Sequence, residues 1–96
     1  MDKELVFKAL ADQNRLKILN DLCSKDCPCN VGDVACCCNV DLSVVSRHLS
    51  VLKNAGIISA NKQGKQVFYH VNRLETAALL RSMADQIEKS CCLKGK

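Results

Sequence analysis

Apolar positions recur with a helical period along most of this chain, and the period changes once, after residue 56. Between Asp41 and Gly56 (DLSVVSRHLSVLKNAG), Val45, Leu49 and Leu52 fall at i, i+4 and i+7, one buried stripe of an amphipathic helix. Gly56 reads as the residue that ends it. Upstream, Asp2 to Leu10 predicts a helix with Leu5, Val6, Phe7, Ala9 and Leu10 apolar. Asp12 reads as the N-cap of a second helix, Gln13 to Leu22. In that helix Leu16, Leu19 and Cys23 are expected to share the buried face, broadened by Ile18 and Leu22. Cys23 to Asn30 (CSKDCPCN), with the single proline of the chain, is a break. Val31 to Cys38 predicts a short helix capped by Asn30, with Asp33 near the positive end of its dipole. Asn39-Val40-Asp41 makes the turn into the next helix, so these two helices form a helix-turn-helix.

After Gly56 the pattern shortens to that of strands. Ile57 to Ala60 and Gln66 to Val71 (QVFYHV) predict a hairpin whose tip is Asn61-Lys62-Gln63-Gly64-Lys65, with Gly64 supplying a positive φ. Asn72 to Lys89 predicts a long final helix with Leu79, Met83 and Ile87 in one stripe and Leu80 and Ala84 beside it. Ser90 to Lys96 is expected to be a tail. The expected architecture is mostly α with a small β-hairpin wing. It is one domain of 96 residues, with 31–56 the helix-turn-helix, 57–71 the wing and 72–92 the last helix and cysteine tail.

Charge sharpens this picture. The net charge is +4, and segment 41–73 accounts for all of it: Arg47, Lys53, Lys62, Lys65 and Arg73 stand there against Asp41. A helix whose first turns carry Ser43, Ser46, Arg47 and His48, next to a basic hairpin, is suited to a DNA groove and its phosphates. Arg47 has the fork for a guanine edge or a phosphate, and Val44 could meet a thymine methyl. Ser43 either caps its helix or donates to a phosphate, and Ser46 either contacts DNA or bonds its own backbone. His48 is read as facing outward with Arg47. Lys62 and Lys65 on the wing tip either meet flanking phosphates or keep the hairpin soluble. No apolar run approaches a membrane span, and the opening MDKELVFKAL lacks a cleavage pattern, so a cytoplasmic protein is expected. No glycine-rich phosphate loop and no redox Cys-x-x-Cys on a βαβ unit is present. An enzyme is therefore not expected, and no cofactor is required.

VGDVACCCNVDLSVVSRHLSVLKNAGIISANKQGKQVFYHV, together with ADQNRLKIL, resembles the DNA-binding core of the ArsR/SmtB metalloregulators. A proline usually stands in that family where this chain has Gln13. The resemblance implies a winged helix-turn-helix repressor that is a homodimer through its first and last helices. It also implies binding to double-stranded operator DNA through the stretch matching Ser43, Ser46, Arg47 and His48. DNA would be released when an inducer, commonly a metal or metalloid ion, binds.

Eight cysteines bear on the inducer. Without a secretory signal, reduced thiols are the default, and thiolates are soft ligands for As(III), Sb(III), Cd(II), Pb(II) and Zn(II). Cys91 and Cys92, with Cys27 and Cys29 around Pro28, are the first candidates. Cys23 and the triplet Cys36, Cys37 and Cys38 rank behind them. Consecutive residues on a helix point about 100° apart, so the triplet cannot converge on one ion, and at least one member is expected in the core. A second site at Cys23, Cys27 and Cys29 stays open. The cysteines that many arsenic and cadmium sensors carry in the first helix of the helix-turn-helix would fall at Asn30, Gly32 and Ala35, so that site is absent here. Asp85 and Glu88 lack the histidine partner of a zinc-type site on the last helix. The expectation is a trivalent-metalloid sensor built on Cys91 and Cys92. A divalent-metal (Cd, Pb, Zn) sensor and a thiol redox or sulfide sensor of the same fold are the alternatives.

Overall fold

The computed structural model describes residues 1–25, 28–38 and 41–94, and the side chains of these except 37, 38 and 90–94. Five helices and one hairpin follow in the order α1 (Lys3–Leu10), α2 (Gln13–Cys23), α3 (Val31–Cys38), α4 (Leu42–Asn54), β1 (Ile58–Gln63), β2 (Gln66–Val71) and α5 (Arg73–Lys94).

Local chemistry sets the helix ends. The Asp2 carboxylate accepts from the Glu4 amide at 2.9 Å and opens α1. That of Asp12 accepts from the Arg15 amide at 3.1 Å and opens α2. At α3 the caps are reciprocal: Asp33 N–H donates to Asn30 Oδ1 (2.8 Å) and Asn30 N–H donates to Asp33 Oδ2 (3.2 Å). The N-cap of α4 is Asp41, whose side chain makes no capping bond, so the capping option for Ser43 is not taken. The far end of α4 is a Schellman motif. Gly56 has φ 86°, its amide donates to Lys53 O (2.9 Å), and the Ile57 amide donates to Leu52 O (3.1 Å). Leu52 and Ile57, which accompany that turn, are both fully buried.

The core gathers Val6 and Ala9 of α1, Ile18 and Leu22 of α2, Val34 of α3, and Val45, Leu49 and Leu52 of α4, with Cys29, Ala55, Ile57 and Ile58. Full burial of a leucine or isoleucine side chain is worth about 1.5–3 kcal/mol. The face of α2 differs from expectation. Ile18 and Leu22 are its buried residues, whereas Leu16 is 46% exposed and Cys23 is also exposed. The apolar residues of α2 exceed one stripe, and the pair that meets α1, α3 and α4 takes the interior.

β1 and β2 pair antiparallel in the register Ile58↔Val71 to Gln63↔Gln66, leaving Gly64 and Lys65 as the turn. The tip is thus tighter than the five residues expected, with Lys62 inside β1. Gly64, at φ 65°, takes the left-handed conformation that two-residue hairpins require. Cys29 adds a further rung to the wing, its N–H donating to Tyr69 O (3.0 Å) and its C=O accepting from Tyr69 N–H (2.8 Å). Asn72 closes the base. Its amide donates to Ile57 O (2.9 Å), its Nδ2 to Gly56 O (2.8 Å), and its Oδ1 accepts from Ser59 Oγ (2.8 Å).

The last helix continues through Cys91 and Cys92 to Lys94, so the expected tail is helical over most of its length. Only its start is anchored among the described residues: Thr76 is buried, Leu79 packs against the core, and Arg73 Nη2 donates to Leu22 O (3.4 Å) and Lys25 O (3.0 Å) at the end of α2. Beyond that, α5 projects, and the molecule measures 56 Å along its long axis against 23 and 21 Å across. Among the described residues, no helix is long and apolar enough to cross a membrane.

Candidate nucleic-acid interface

Burying Val45, Leu49 and Leu52 forces the opposite face of α4 outward. Ser43, Ser46 and Arg47 are exposed, and Val44 is half-buried at the edge of that face. Ser50, seven residues after Ser43 and three after Arg47, is also exposed and prolongs the donor stripe by one turn. The i+7 spacing from Ser43 marks it in the sequence.

The wing stands beside this stripe. Lys62 and Lys65 are exposed. An open cleft of about 520 Å³ separates wing from helix, and Asn30, Gly32, Ser46, Lys65, Gln66 and Tyr69 are among the residues lining it. Asn30 Nδ2 donates to Gln66 Oε1 across 3.3 Å and links the start of α3 to β2. Three elements thus converge there: the N-terminus of α3, the donor face of α4, and a lysine at the turn of the hairpin. Asn30 and Gln66 escaped sequence reasoning because their meeting depends on the wing folding back over α3.

His48 differs from expectation. Its side chain is only 13% exposed, and its Nδ1 lies 3.3 Å from Arg15 Nη1 and 4.0 Å from Asp12 Oδ2. A guanidinium has donors only, so in the 3.3 Å contact Arg15 Nη1 donates and His48 Nδ1 accepts. The shorter contact, to Arg15, is the stronger of the two. The sequence did carry a signal: His48 follows Val45 by three residues and precedes Leu52 by four, so it borders the buried stripe. Asp12, the N-cap of α2, brings a carboxylate near the ring. The Asp12 carboxyl itself is held below its ordinary range, first by the Arg15 amide that it accepts, then by the positive charge of Arg15, against the opposing effect of desolvation.

The cysteines are dispersed where they are described. Cys29 lies in the core at 2% exposure, while Cys23 and Cys36 are exposed. Cys36 is therefore not the core member of its triplet. Among the described residues, no group of three or more His, Cys, Asp or Glu could hold a metal ion, and Cys23 and Cys29 do not join in one. Cys27 lies outside the described residues, as do the side chains of Cys37, Cys38, Cys91 and Cys92.

A helix-turn-helix with an exposed donor stripe, followed by a two-stranded wing with lysines beside it, defines a winged helix-turn-helix protein. Residues 12–60 match the family described as "Bacterial regulatory protein, arsR family". The chain belongs to this arsR family. It is 36% identical over 92 residues to the arsenical resistance operon repressor of Bacillus subtilis (strain 168), covering 94% of this chain and 79% of that protein. It is 36% identical over 76 residues to the cadmium resistance transcriptional regulatory protein CadC of Listeria innocua serovar 6a, covering 77% of this chain and 61% of that regulator. The chain therefore spans less than two thirds of that relative's length. Among solved structures it is similar to the homodimeric winged helix-turn-helix DNA-binding domain of Mb0332 from Mycobacterium bovis. The TM-score is 0.70 at 29% identity, with 91% of this chain and 82% of that one covered.

Proposed function

We propose that this chain is a transcriptional repressor that binds double-stranded operator DNA as a homodimer and lets go when a thiophilic inducer, As(III) or Sb(III), binds. The observation that carries the DNA part is the outward stripe of Ser43, Ser46, Arg47 and Ser50 on α4, set beside exposed Lys62 and Lys65. Arg47 is the base-reading or phosphate fork, Ser43 and Ser46 donate to the backbone, and Val44 lies against a base edge. The lysines neutralise phosphates of the flanking groove.

Dimerisation through the first and last helices is supported by the apolar surface left without cover. Leu5 (46%) and Phe7 (42%) of α1 are exposed, as are Leu74 (86%), Leu80 (36%) and Ile87 (66%) of α5. A single small domain rarely presents so many large apolar side chains on two elements unless they meet a partner. In the dimer the two copies of α4 would enter successive major grooves, about 34 Å apart.

For the inducer, Cys91 and Cys92 remain the proposed pair, adjacent along the last turns of α5. The third thiolate would come from Cys27 or from the partner subunit. Cys29 is a weaker candidate, since a core position anchored to Tyr69 leaves its sulfur little freedom to reach an ion. Binding there would change the spacing of the two reading helices, and a coupling of about 1–3 kcal/mol would weaken DNA binding enough to matter. The relatives support a thiophilic inducer, and their names include both arsenical and cadmium regulators, so Cd(II) is the second reading.

The experiment is fluorescence-anisotropy release of operator by As(III) and, separately, Cd(II), on reduced protein and on Cys→Ser variants of each cluster. Release by As(III), abolished by Cys91→Ser and Cys92→Ser, is expected. Unaltered operator binding at saturating As(III) removes the metalloid reading. Release only after oxidation assigns the switch to disulfide chemistry.

A further inference from the structure

We infer that Asp12, Arg15 and His48 form a bracket that sets the orientation of α4 for base reading, with His48 a positioning residue that does not itself touch DNA. This rests on the DNA-binding reading above and adds to it a group that no surface inspection would select.

One guanidinium joins three helices. Arg15 Nε donates to Ala9 O at 2.5 Å and Nη2 to Lys8 O at 3.4 Å, both carbonyls in the last turn of α1. The Arg15 amide is held by Asp12 Oδ2 at the start of α2 (3.1 Å), and Nη1 reaches His48 Nδ1 in the middle of α4 (3.3 Å). The guanidinium is planar and its donors keep a fixed fork, so each of these bonds constrains the direction of the others.

Apolar contact supplies that constraint less sharply. Val45, Leu49 and Leu52 hold α4 at its depth in the core, but hydrophobic burial is not directional. A rotation of the helix about its axis costs such contacts little until side chains clash. The bond at His48, on the edge of the buried stripe, opposes that rotation. Arg47 is the next residue, about 100° round the helix, so turning α4 swings its guanidinium across the groove. A bidentate contact to a base edge needs placement within about 0.5 Å and 10–20°. A phosphate contact from a long flexible side chain needs far less. Loss of the bracket should therefore cost sequence preference and spare general affinity for DNA. Because the fork is fastened to α1, which carries the exposed Leu5 and Phe7, it also ties the proposed dimer face to the reading helix.

The test uses the full chain and a duplex selected with it from a random-sequence library, against a scrambled duplex of the same composition. His48→Ala, His48→Asn and Arg47→Ala are compared by anisotropy over a salt series, with thermal melts to verify folding. Asparagine retains an acceptor near the Nδ1 position. His48→Ala is expected to weaken the selected duplex by about tenfold or more, the worth of one hydrogen bond from a charged donor. The scrambled duplex and the salt slope should stay at wild-type values, and His48→Asn should recover most of the loss. A fall in the slope of about two on both duplexes, one phosphate per protomer, makes His48 a DNA contact and overturns the inference. Equal losses on both duplexes at unchanged slope, without rescue by asparagine, leave it a merely structural residue and overturn it as well. So does an unchanged preference. A selection that returns no consensus sequence defeats the DNA-binding reading itself, a result distinct from the others.

Discussion

Replacing both wing lysines with glutamine, Lys62→Gln with Lys65→Gln, separates a phosphate-binding wing from a merely soluble hairpin. Both side chains are exposed, and Lys65 lines the cleft between wing and helix. Each phosphate neutralised on B-DNA contributes about 0.9 to the slope of log affinity against log salt. Two lysines on each of two wings in the proposed dimer predict that the slope becomes shallower by about 3.6 in the variant. Over a fourfold rise in salt, the advantage of wild type over variant should then shrink by about 150-fold. Exposed substitutions of this kind change stability by no more than about 0.5 kcal/mol, so the thermal midpoint should hold and the loss can be assigned to binding. The assay is anisotropy of a labelled operator duplex over a potassium chloride series, with each single variant expected to give half the effect. A slope that stays at the wild-type value, with affinity intact, would mean that the wing does not lie on phosphate and that the basic excess of segment 41–73 is only a solvated face.

Other outcomes follow from single residues. Thr76 is 6% exposed and its hydroxyl has no hydrogen-bond partner among the described residues, so Thr76→Val, nearly the same shape without the polar atom, should stabilise by about 1 kcal/mol. In a domain of this size that is a rise of about 4–8 °C in Tm, and a lowered midpoint would show that the hydroxyl is satisfied in solution. At Gly64 an added Cβ meets nothing within 4 Å, so Gly64→Ala should cost only the left-handed backbone penalty, about 1–2 kcal/mol. Gly64→Asn should cost less, and equal losses in a denaturant titration would contradict the conformational explanation. The Asp12 carboxyl is depressed chiefly by the Arg15 amide, so its contribution exists above the unfolded-state value and disappears as pH falls through the lower folded-state value. Asp12→Asn should therefore be less stable than wild type at neutral pH, with the gap closing in strong acid. A gap that persists undiminished there would place the effect elsewhere.

Short-range chemistry along the chain accounts for much that is seen here. Period and caps define α4, with Val45, Leu49 and Leu52 inward, because a helix of fixed pitch admits one arrangement of those three residues. Asp12 and Asn30 cap their helices, and β-branched and aromatic residues with Gly64 make the hairpin, since each of these preferences acts within a few residues. The donor stripe and the basic excess follow from the same period. Tertiary structure decided what local preference leaves degenerate. On α2 two apolar stripes competed, and contact with α1, α3 and α4 selected Ile18 and Leu22 over Leu16 and Cys23. Cys29 reads locally as a loop thiol beside Pro28, yet its backbone pairs with Tyr69, far along the chain, and draws it into the core. His48 borders the buried face, where pitch alone permits either direction, and only the Arg15 guanidinium arriving from α2 turns it inward.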